Sequence, residues 1–372
     1  MVNRNYLILN VLRGLSALYI VFFHFFIFFF QHQSMAADLL QIEPFDFAAP
    51  FYLEAIDNFP INTGHFAVSF FFLISGFLIP ASLQRYPSLK DFLIHKVFRL
   101  WPSYVICFST GLLCVFVLHL LQGRGFPYDF GNVLSYFFWV RDIFHYPFID
   151  GSVWTLEIQI KFYIFASLVW SVWKKDFLEK ICLLTILMSL LIYGAHILLE
   201  GEELSWFYVI TLLRKNLKFF TLILLGTCLF SAYSKQISWQ KALFLLATLL
   251  LAFLSPLFIS PDSAKTVGYV LGFFLFSGFI FFHVDKEEYK GLFGKVTNWL
   301  SEISYPLYVG HVLPGYVIMY YMIDRGFSPY LGIFIATAYS LIMADFVHKK
   351  IEASFLKRGS QLFSYFWGKT SQ

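Results

Sequence analysis

The chain has 372 residues, of which 59% are hydrophobic, 22% aromatic and only 13% charged. Its mean hydropathy of +0.68 excludes an ordinary soluble domain. The formal net charge of +4 is small, and no nucleic-acid partner is expected. Apolar runs long enough to cross about 30 Å of hydrocarbon recur along the chain, which predicts an all-α fold, a polytopic transmembrane helical bundle.

About ten spans are predicted, and residues 1–372 are expected to form a single integral-membrane domain. The first run lacks a small-residue cleavage site, so it is interpreted as a retained span rather than a signal peptide. The four cysteines fall within apolar runs without metal-ligand spacing, so no metal site is expected. The spans are predicted at 8–30, 65–83, 101–121, 153–173, 181–199, 216–233, 242–259, 266–284, 302–322 and 330–348.

Charges in the loops orient the predicted bundle. The loop after the first span contains acidic residues but no Lys or Arg, whereas basic residues follow the second, fourth, sixth, eighth and tenth spans. By the positive-inside rule those basic loops, and both termini, are predicted to be cytoplasmic. The basic residues are Arg85, Lys90, Lys96, Arg99, Lys174, Lys175, Lys180, Lys235, Lys241, Lys286, Lys290, Lys295, Lys349, Lys350, Lys357 and Arg358.

Two short apolar segments do not fit this count of spans. Residues 132–140 are too few to cross a bilayer, so a re-entrant or interfacial helix on the outer side is expected. The segment from Trp206 to Leu213 is similarly short and ends at Arg214 and Lys215. We predict that these two basic residues lie near the outer surface, against the charge rule.

Two ionisable residues, Arg13 and His24, lie inside the first span. Eleven helical residues turn through about three turns plus 20°, so both side chains should share one face, about 16 Å apart along the axis. A charged group at membrane depth is costly unless it faces protein or water. The spacing therefore indicates a polar track from one membrane surface toward the midplane.

Four other clusters contain residue types that support either packing or chemistry. Ser75 and Gly76 permit close helix approach, so a packing role is as reasonable as a functional one. Lys96 and Arg99 precede Trp101-Pro102, which suits an anion site at a helix start or an ordinary cytoplasmic loop. Glu157 and Lys161 are four residues apart and could simply neutralise each other. A lone His311 within a span could be a packing residue or could share a site with His24.

These segments together resemble acyltransferase family 3, a family of integral-membrane proteins. Leu12-Arg13-Gly14 through His24 is similar to the family's Arg-x10-His signature, and the run Phe70 to Ile79 to its second span. Arg99-Leu100-Trp101-Pro102 resembles its Arg-x-x-Pro motif. The segment from Trp154 to Tyr163, and Ser304-Tyr305 with Tyr308 and His311, resemble two later motifs. Five motifs in the family's order, from residue 12 to 311, make the match specific.

Membership implies transfer of an acyl group, most often acetyl from cytoplasmic acetyl-CoA, to a hydroxyl of a surface polysaccharide or its lipid-linked oligosaccharide precursor. The expected location is the bacterial inner membrane, with membrane lipids as further partners. Arg13, Lys96 and Arg99 are then candidates for contacting the anionic donor. His24 is the candidate base, with His311, Glu157 and Gln159 as further catalytic candidates.

The sequence departs from the family pattern at several positions. His95 and Lys96 stand where two basic residues are usual, while Ala67 and Ser69 replace a glycine and an aspartate. The family's glutamate before Phe-Tyr aligns with Gln159, and Glu157 lies about 200° away around the helix. Either that carboxylate is dispensable or activity is altered.

A transporter or flippase, and a catalytically altered membrane binding partner, are the alternative functions.

Overall fold

The computed structural model describes residues 7–57, 63–86, 88–199, 205–255, 263–282, 291–352 and 354–355. Regular structure in these ranges is helical, and they contain no strand. The helices are α1 (Leu7–Gln31), α2 (Gln33–Leu40), α3 (Leu53–Asp57), α4 (Thr63–Arg85), α5 (Leu89–Leu121), α6 (Phe130–Phe137), α7 (Trp154–Val172), α8 (Phe177–Leu198), α9 (Ser205–Tyr233), α10 (Trp239–Leu254), α11 (Ser263–Phe282), α12 (Gly291–Gly310), α13 (Val312–Asp324) and α14 (Pro329–Val347).

The predicted polytopic helical bundle is confirmed. Six helices in the described ranges are long and apolar enough to cross a membrane, and they comprise α1, α4, α5, α8, most of α9, and α14 with the π-helical turn that follows it. Shorter apolar helices include α10, α13 and most of α11. Each of the ten predicted spans falls on one or two helices of the structure, as far as the described residues reach, although α7 and α12 are not among the apolar helices just named.

Three predicted boundaries differ from the structure. The third span was expected to begin at residue 101, but α5 begins at Leu89 with Pro102 inside it, so Lys96 and Arg99 lie within a helix and the expected helix start beside them is wrong.

The segment expected to end at Arg214 and Lys215 is continuous with the next span in α9, because no Gly or Pro interrupts the chain there. The predicted span 302–322 is divided into α12 and α13 at His311. Pro314 has no amide hydrogen to donate to the carbonyl of Gly310, and its ring crowds that carbonyl, which explains the break.

The chain forms two compact units built from alternating segments. The first unit comprises residues 1–9, 61–93 and 154–288, and the second comprises 10–60, 94–153 and 289–372. The first therefore contains α4 and α7 to α11, and the second contains most of α1, most of α5, α6 and α12 to α14.

In the first unit, small residues let α4 and α9 pack closely. A Cβ atom at Gly76 would overlap the carbonyl oxygen of Ile223, and one at Gly226 would overlap that of Leu73. The hydroxyl of Thr227 donates a hydrogen bond to the Gly76 carbonyl at 3.0 Å. Contacts of this kind drive helix association in a bilayer, where no hydrophobic effect operates between helices. The close helix approach predicted at Gly76 is therefore present, and a functional role for Ser75 stays a prediction.

In the second unit, the segment between α5 and α12 is tied down by buried tyrosines. Tyr104 on α5 donates to the carbonyl of Tyr136 at 2.9 Å, and the Tyr136 hydroxyl accepts from the amide of Ile149 at 2.7 Å. Asp129 caps α6 by accepting from the amide of Asn132. At eight residues, α6 is too short to cross a bilayer, as expected from the sequence.

The crossing of α4 and α9 predicts a difference between two Gly→Ala substitutions. Gly76→Ala should lower the thermal unfolding temperature of the detergent-solubilised protein, because the new methyl group forces two backbones apart. Gly194→Ala in α8 meets nothing within 4 Å and should leave that temperature unchanged or raise it, since alanine favours helix by about 1 kcal/mol. Equal effects at both positions would contradict this packing.

Candidate active site

Arg13 is held against α12 by two hydrogen bonds. Its Nη2 donates to the Ser301 carbonyl at 3.1 Å and to the Ser301 hydroxyl at 2.9 Å. The helices come this close because residue 14 is glycine, and a Cβ there would lie 2.8 Å from the Ser301 amide nitrogen. The Nε of Arg13 is buried and has no hydrogen-bond partner among the described residues. The guanidinium is therefore anchored at one nitrogen and has hydrogen-bonding capacity left at another.

Eleven residues further along α1, His24 contacts His311. The Nδ1 of His24 lies 2.6 Å from the Nε2 of His311. The rings stack with their centroids 4.9 Å apart. His311 is completely buried, whereas His24 is partly exposed. The two histidines thus form one pair in which His24 is accessible and His311 is not.

The hydrogen-bond partners of His311 fix the positions of the protons in this pair. Its Nδ1 lies 2.9 Å from the Tyr308 carbonyl and 3.1 Å from the Leu307 carbonyl. Carbonyl oxygens only accept, so Nδ1 of His311 carries a hydrogen, and in the neutral ring Nε2 is an acceptor. His24 then donates from Nδ1, which leaves the lone pair on its Nε2. An imidazole in this state can act as a base.

Both histidines lie where regular helix is interrupted. His24 belongs to the π-helical turn Phe23–Phe28 within α1, and such turns are frequent at functional sites. His311 lies at the break between α12 and α13. Beside them, a Cβ atom at Gly315 would overlap the ring of Phe25, so glycine is needed for α13 to lie this close to the turn.

Three basic residues of the second unit, Arg13, Lys96 and Arg99, are linked by electrostatic interactions. The charge of Arg99 acts on both Arg13 and Lys96, and the carboxylate of Glu352 also acts on Arg13. Lys96 is buried and Arg99 is partly exposed. The structure therefore brings together the three residues that the sequence suggested for an anionic donor, and it adds Glu352, which the sequence analysis did not single out.

Other residues near the histidine pair were also missed. The ring of Tyr316 lies 6.5 Å from that of His24, edge to face, and its buried hydroxyl has no hydrogen-bond partner in the described part of the chain. Ser301, the hydrogen-bond partner of Arg13, was not predicted either. Nothing in the sequence distinguishes Tyr316 from the other 21 tyrosines, because only the fold places it beside His24.

A buried carboxylate, Asp150, lies in the same unit. It accepts hydrogen bonds from the Ser152 amide at 2.7 Å and the Ser152 hydroxyl at 2.6 Å, while the Ser152 carbonyl accepts from Tyr308 at 3.1 Å. Burial raises the pKa of Asp150 to about 6, although the hydrogen bonds from Ser152 oppose the rise. Asp150 is thus linked through Ser152 to the helical turn that precedes His311.

The remaining candidates, Glu157 and Gln159, lie on α7 in the first unit. Gln159 is partly exposed, and its Nε2 donates to the hydroxyl of Ser75 on α4. Glu157 is buried, with 1% of its surface accessible. The two side chains therefore have different environments, as their angular separation requires. The pairing of Glu157 with Lys161 stays a prediction.

The fold and the site together define the class: a helical membrane protein with a pair of histidines and an anchored arginine inside its spans. The chain belongs to acyltransferase family 3, whose acyltransferase domain matches residues 6–348. The resemblance seen in the sequence is confirmed, and the chain is a multi-pass membrane member of this acyltransferase family.

One similar protein is an O-acetyl transferase of Shigella phage Sf6. It is 31% identical over 115 residues, which cover 28% of this chain and 34% of the phage protein. The match thus spans about a third of that relative. No solved structure matches the chain significantly.

The burial of Asp150 predicts a pH-dependent stability. Between about pH 4 and pH 6 the folded protein keeps a proton that the unfolded chain releases, so stability falls as pH rises through this window. Asp150→Asn keeps an oxygen for both Ser152 hydrogen bonds but carries no charge. Its free energy of unfolding relative to that of wild type should rise from pH 4 to pH 6 and then level off, by up to about 3 kcal/mol in total. A pH-independent difference would contradict this.

Proposed function

We propose that this protein transfers an acyl group, most simply acetyl, from cytoplasmic acyl-CoA to a hydroxyl of a cell-envelope glycan or its lipid-linked precursor. The contact between His24 and His311 is the observation that supports the chemistry best, since it supplies a neutral, partly exposed base within a membrane span. The family and the name of the phage relative support acyl transfer to oxygen. The proposed location is the bacterial inner membrane, with both termini cytoplasmic.

In this proposal His24 is the general base. Its Nε2 takes the proton from the acceptor hydroxyl as that oxygen bonds to the acyl carbon, and the carbon–sulfur bond of the donor breaks. The imidazolium of His24 then returns the proton to the departing thiolate, so the products are an ester and a free thiol. His311 fixes the tautomer of His24 and helps to hold the positive charge that develops on it.

Arg13, Lys96 and Arg99 are proposed to hold the donor, which supplies the activated acyl group. Its phosphates are anionic, and the three cations fit such a group because Arg99 interacts electrostatically with both Arg13 and Lys96 in one unit. The buried Nε of Arg13, which lacks a partner among the described residues, can donate to an anion while Nη2 stays on Ser301. Arginine suits this role because its planar guanidinium holds several donors in one fixed geometry, so Nε can face an anion while Nη2 faces Ser301.

Removing the base should abolish transfer. His24→Ala is expected to lower the rate of acetyl transfer from labelled acetyl-CoA, in membranes supplied with envelope glycan, by about 10²- to 10⁴-fold. His32→Ala, which replaces an exposed histidine just after α1, is the matched control and should keep the wild-type rate. Undiminished transfer by folded His24→Ala protein would refute the role of His24 and with it the observation on which this proposal rests.

Removing the cations should raise the requirement for donor. Arg99→Ala is expected to weaken binding of a non-reactive CoA analogue to purified protein by about tenfold, with a smaller effect for Lys96→Ala. Arg13→Lys should also weaken transfer, because a planar fork becomes a point charge. Calorimetry measures the affinities, and Arg325→Ala, an exposed arginine on the same unit, is the control. Equal affinities in wild type and in the double variant of Lys96 and Arg99 would mean that these residues only orient the chain in the membrane.

Gln159 provides a test of the alternative that the protein is a catalytically altered membrane binding partner. A glutamate there could accept from the Ser75 hydroxyl, so the contact between α7 and α4 survives with its direction reversed. Gln159→Glu is therefore expected to raise the transfer rate without changing expression, and adding Ser75→Ala should cancel the gain. A rate that stays level or falls would show that no carboxylate is needed at this position. Absence of transfer in both forms, with every glycan tested, would favour a catalytically silent partner.

A further inference from the structure

A group of aromatic rings leads from His24 toward one end of the second unit. Tyr316 and Tyr320 are four residues apart on α13, so both lie on one face of that helix, about 6 Å apart along its axis. The Tyr316 ring lies beside that of His24. Tyr320 therefore lies one turn nearer to the end of α13, which the predicted topology puts on the outer side.

Two phenylalanines of the segment after α2 pack against Tyr320. The rings of Phe45 and Phe47 stack with centres 4.7 Å apart, and they lie 5.2 and 5.9 Å from the centre of the Tyr320 ring. Phe29 connects these rings to the site, because its own ring lies 5.5 Å from that of Phe45 and 5.2 Å from that of Tyr316. Phe45, Phe47 and Tyr320 thus form an aromatic platform, one helical turn outward of the histidine pair.

A side chain of α2 holds the backbone of the aromatic platform in place. Gln33 donates from its Nε2 to the carbonyl of Phe47 at 2.9 Å, and its Oε1 accepts from the amide of the same residue at 2.7 Å. The side-chain amide pairs with Phe47 as the backbone of a neighbouring strand would. An irregular segment is therefore fixed at a residue that carries one of the rings, and such preorganisation lowers the entropic cost of binding a ligand.

The aromatic platform keeps accessible surface and is bordered by polar groups. All three of its rings are partly exposed. The Tyr320 hydroxyl forms a hydrogen bond with the side chain of Gln122. The charges of Arg124 and Asp324 also act on Tyr320. Asp46 lies between the two phenylalanines in the chain, and all four polar side chains are exposed. Flat apolar surface, hydrogen-bond donors and hydrogen-bond acceptors are therefore available in one place.

This combination of groups is what a sugar ring requires. The faces of a pyranose carry C–H groups that pack on aromatic rings, while its hydroxyls project from the edge. Carboxylates and amide oxygens accept hydrogen bonds from such hydroxyls, and the N–H groups of arginine and amides donate to them. A hydrocarbon chain would use the rings but leave the polar groups without a role. The chemistry therefore favours a carbohydrate over a lipid tail.

We propose that the aromatic platform binds a sugar of the acceptor glycan, beside the sugar that receives the acyl group. This inference rests on the proposed function, in which the partly exposed His24 activates the acceptor hydroxyl. A spacing of one helical turn between Tyr316 and Tyr320 is comparable to the length of one sugar unit. The aromatic platform therefore recognises a chain of sugars, and a single sugar placed at His24 does not reach it.

Binding of glycan fragments distinguishes this role from simple packing. The probes are single sugars and short oligosaccharides prepared from the de-O-acylated envelope glycan of the source bacterium, titrated by calorimetry into purified protein. Phe47→Ala and Tyr320→Ala should each weaken binding of the oligosaccharides by about three- to tenfold and leave binding of single sugars unchanged. Phe47→Tyr keeps a ring and should preserve binding. Phe51→Ala, which removes an exposed ring that contacts Tyr52 in the same segment, is the matched control.

Transfer kinetics give a second readout that packing alone would not change in this way. In Phe47→Ala the KM for the oligosaccharide should rise by a similar factor, while the KM for acetyl-CoA and the unfolding temperature stay at the wild-type values. A loss in kcat with an unchanged KM for the oligosaccharide would contradict the proposal.

Three binding results would overturn the proposed sugar site. They are unchanged oligosaccharide affinity in both alanine variants, an equal loss in Phe51→Ala, and a matching loss for a polyprenol without sugar, which would indicate a lipid surface. If the alanine variants do not fold, Phe47→Trp decides. Its indole fluorescence should change saturably with oligosaccharide, and a response no larger than that of wild type would contradict the site.

The sugar site and the proposed function fail independently in this design. Binding needs no turnover, so it can also be measured in folded His24→Ala protein. Binding that depends on the aromatic platform, in a wild-type protein that transfers nothing, would keep the site and refute acyl transfer. Transfer with an unchanged KM for the oligosaccharide in both alanine variants would keep the function and refute the site.

Discussion

The hydrogen bond between His24 and His311 constrains the rest of the site. The two nitrogens are 2.6 Å apart, so one proton lies between them, and the carbonyls of Leu307 and Tyr308 decide which ring donates it. In a span, where water is scarce, such a chain of donors and acceptors has few alternative arrangements. A base with a defined lone pair results without a carboxylate in contact with either ring among the described residues.

Departures from regular helix make this contact possible. The π-helical turn displaces the residues around His24 from regular α-helical register. His311 lies between the end of α12 at Gly310 and the start of α13 at Val312. Close helix approach at Gly14 and Gly315 completes the arrangement. Irregular backbone is unfavourable at membrane depth unless it is buried in protein, so its presence at both histidines supports a role for this site in function.

Hydropathy alone predicted most of the fold. The spans follow from the length of the apolar runs, and the shared face of Arg13 and His24 follows from helical periodicity, so these features are local in the sequence. The contact between His24 and His311 joins residues 287 apart, and a single sequence cannot reveal it by periodicity. The same holds for the contact of Arg13 with Ser301 and for the hydrogen bond from Gln159 to Ser75.

Two local features were also missed, although the backbone chemistry that determines them is visible in the sequence. The break between α12 and α13 was foreseeable from Gly310 and Pro314, but the apolar run continues across it and favoured a single span. The continuity of α9 through Arg214 and Lys215 was missed for the opposite reason, because charge suggested an end that the helix does not have. In both cases backbone chemistry decided the helix boundary, and hydropathy did not.

The central claim is that His24 and His311 act as one catalytic unit, and a double-substitution cycle tests it most directly. Transfer rates would be compared for wild type, His24→Gln, His311→Gln and the double variant, with unfolding temperatures as the control for folding. If the pair acts as a unit, the double variant should be no slower than His24→Gln, because the contribution of His311 exists only through its partner. Rate losses that multiply in the double variant would show independent roles and contradict the account.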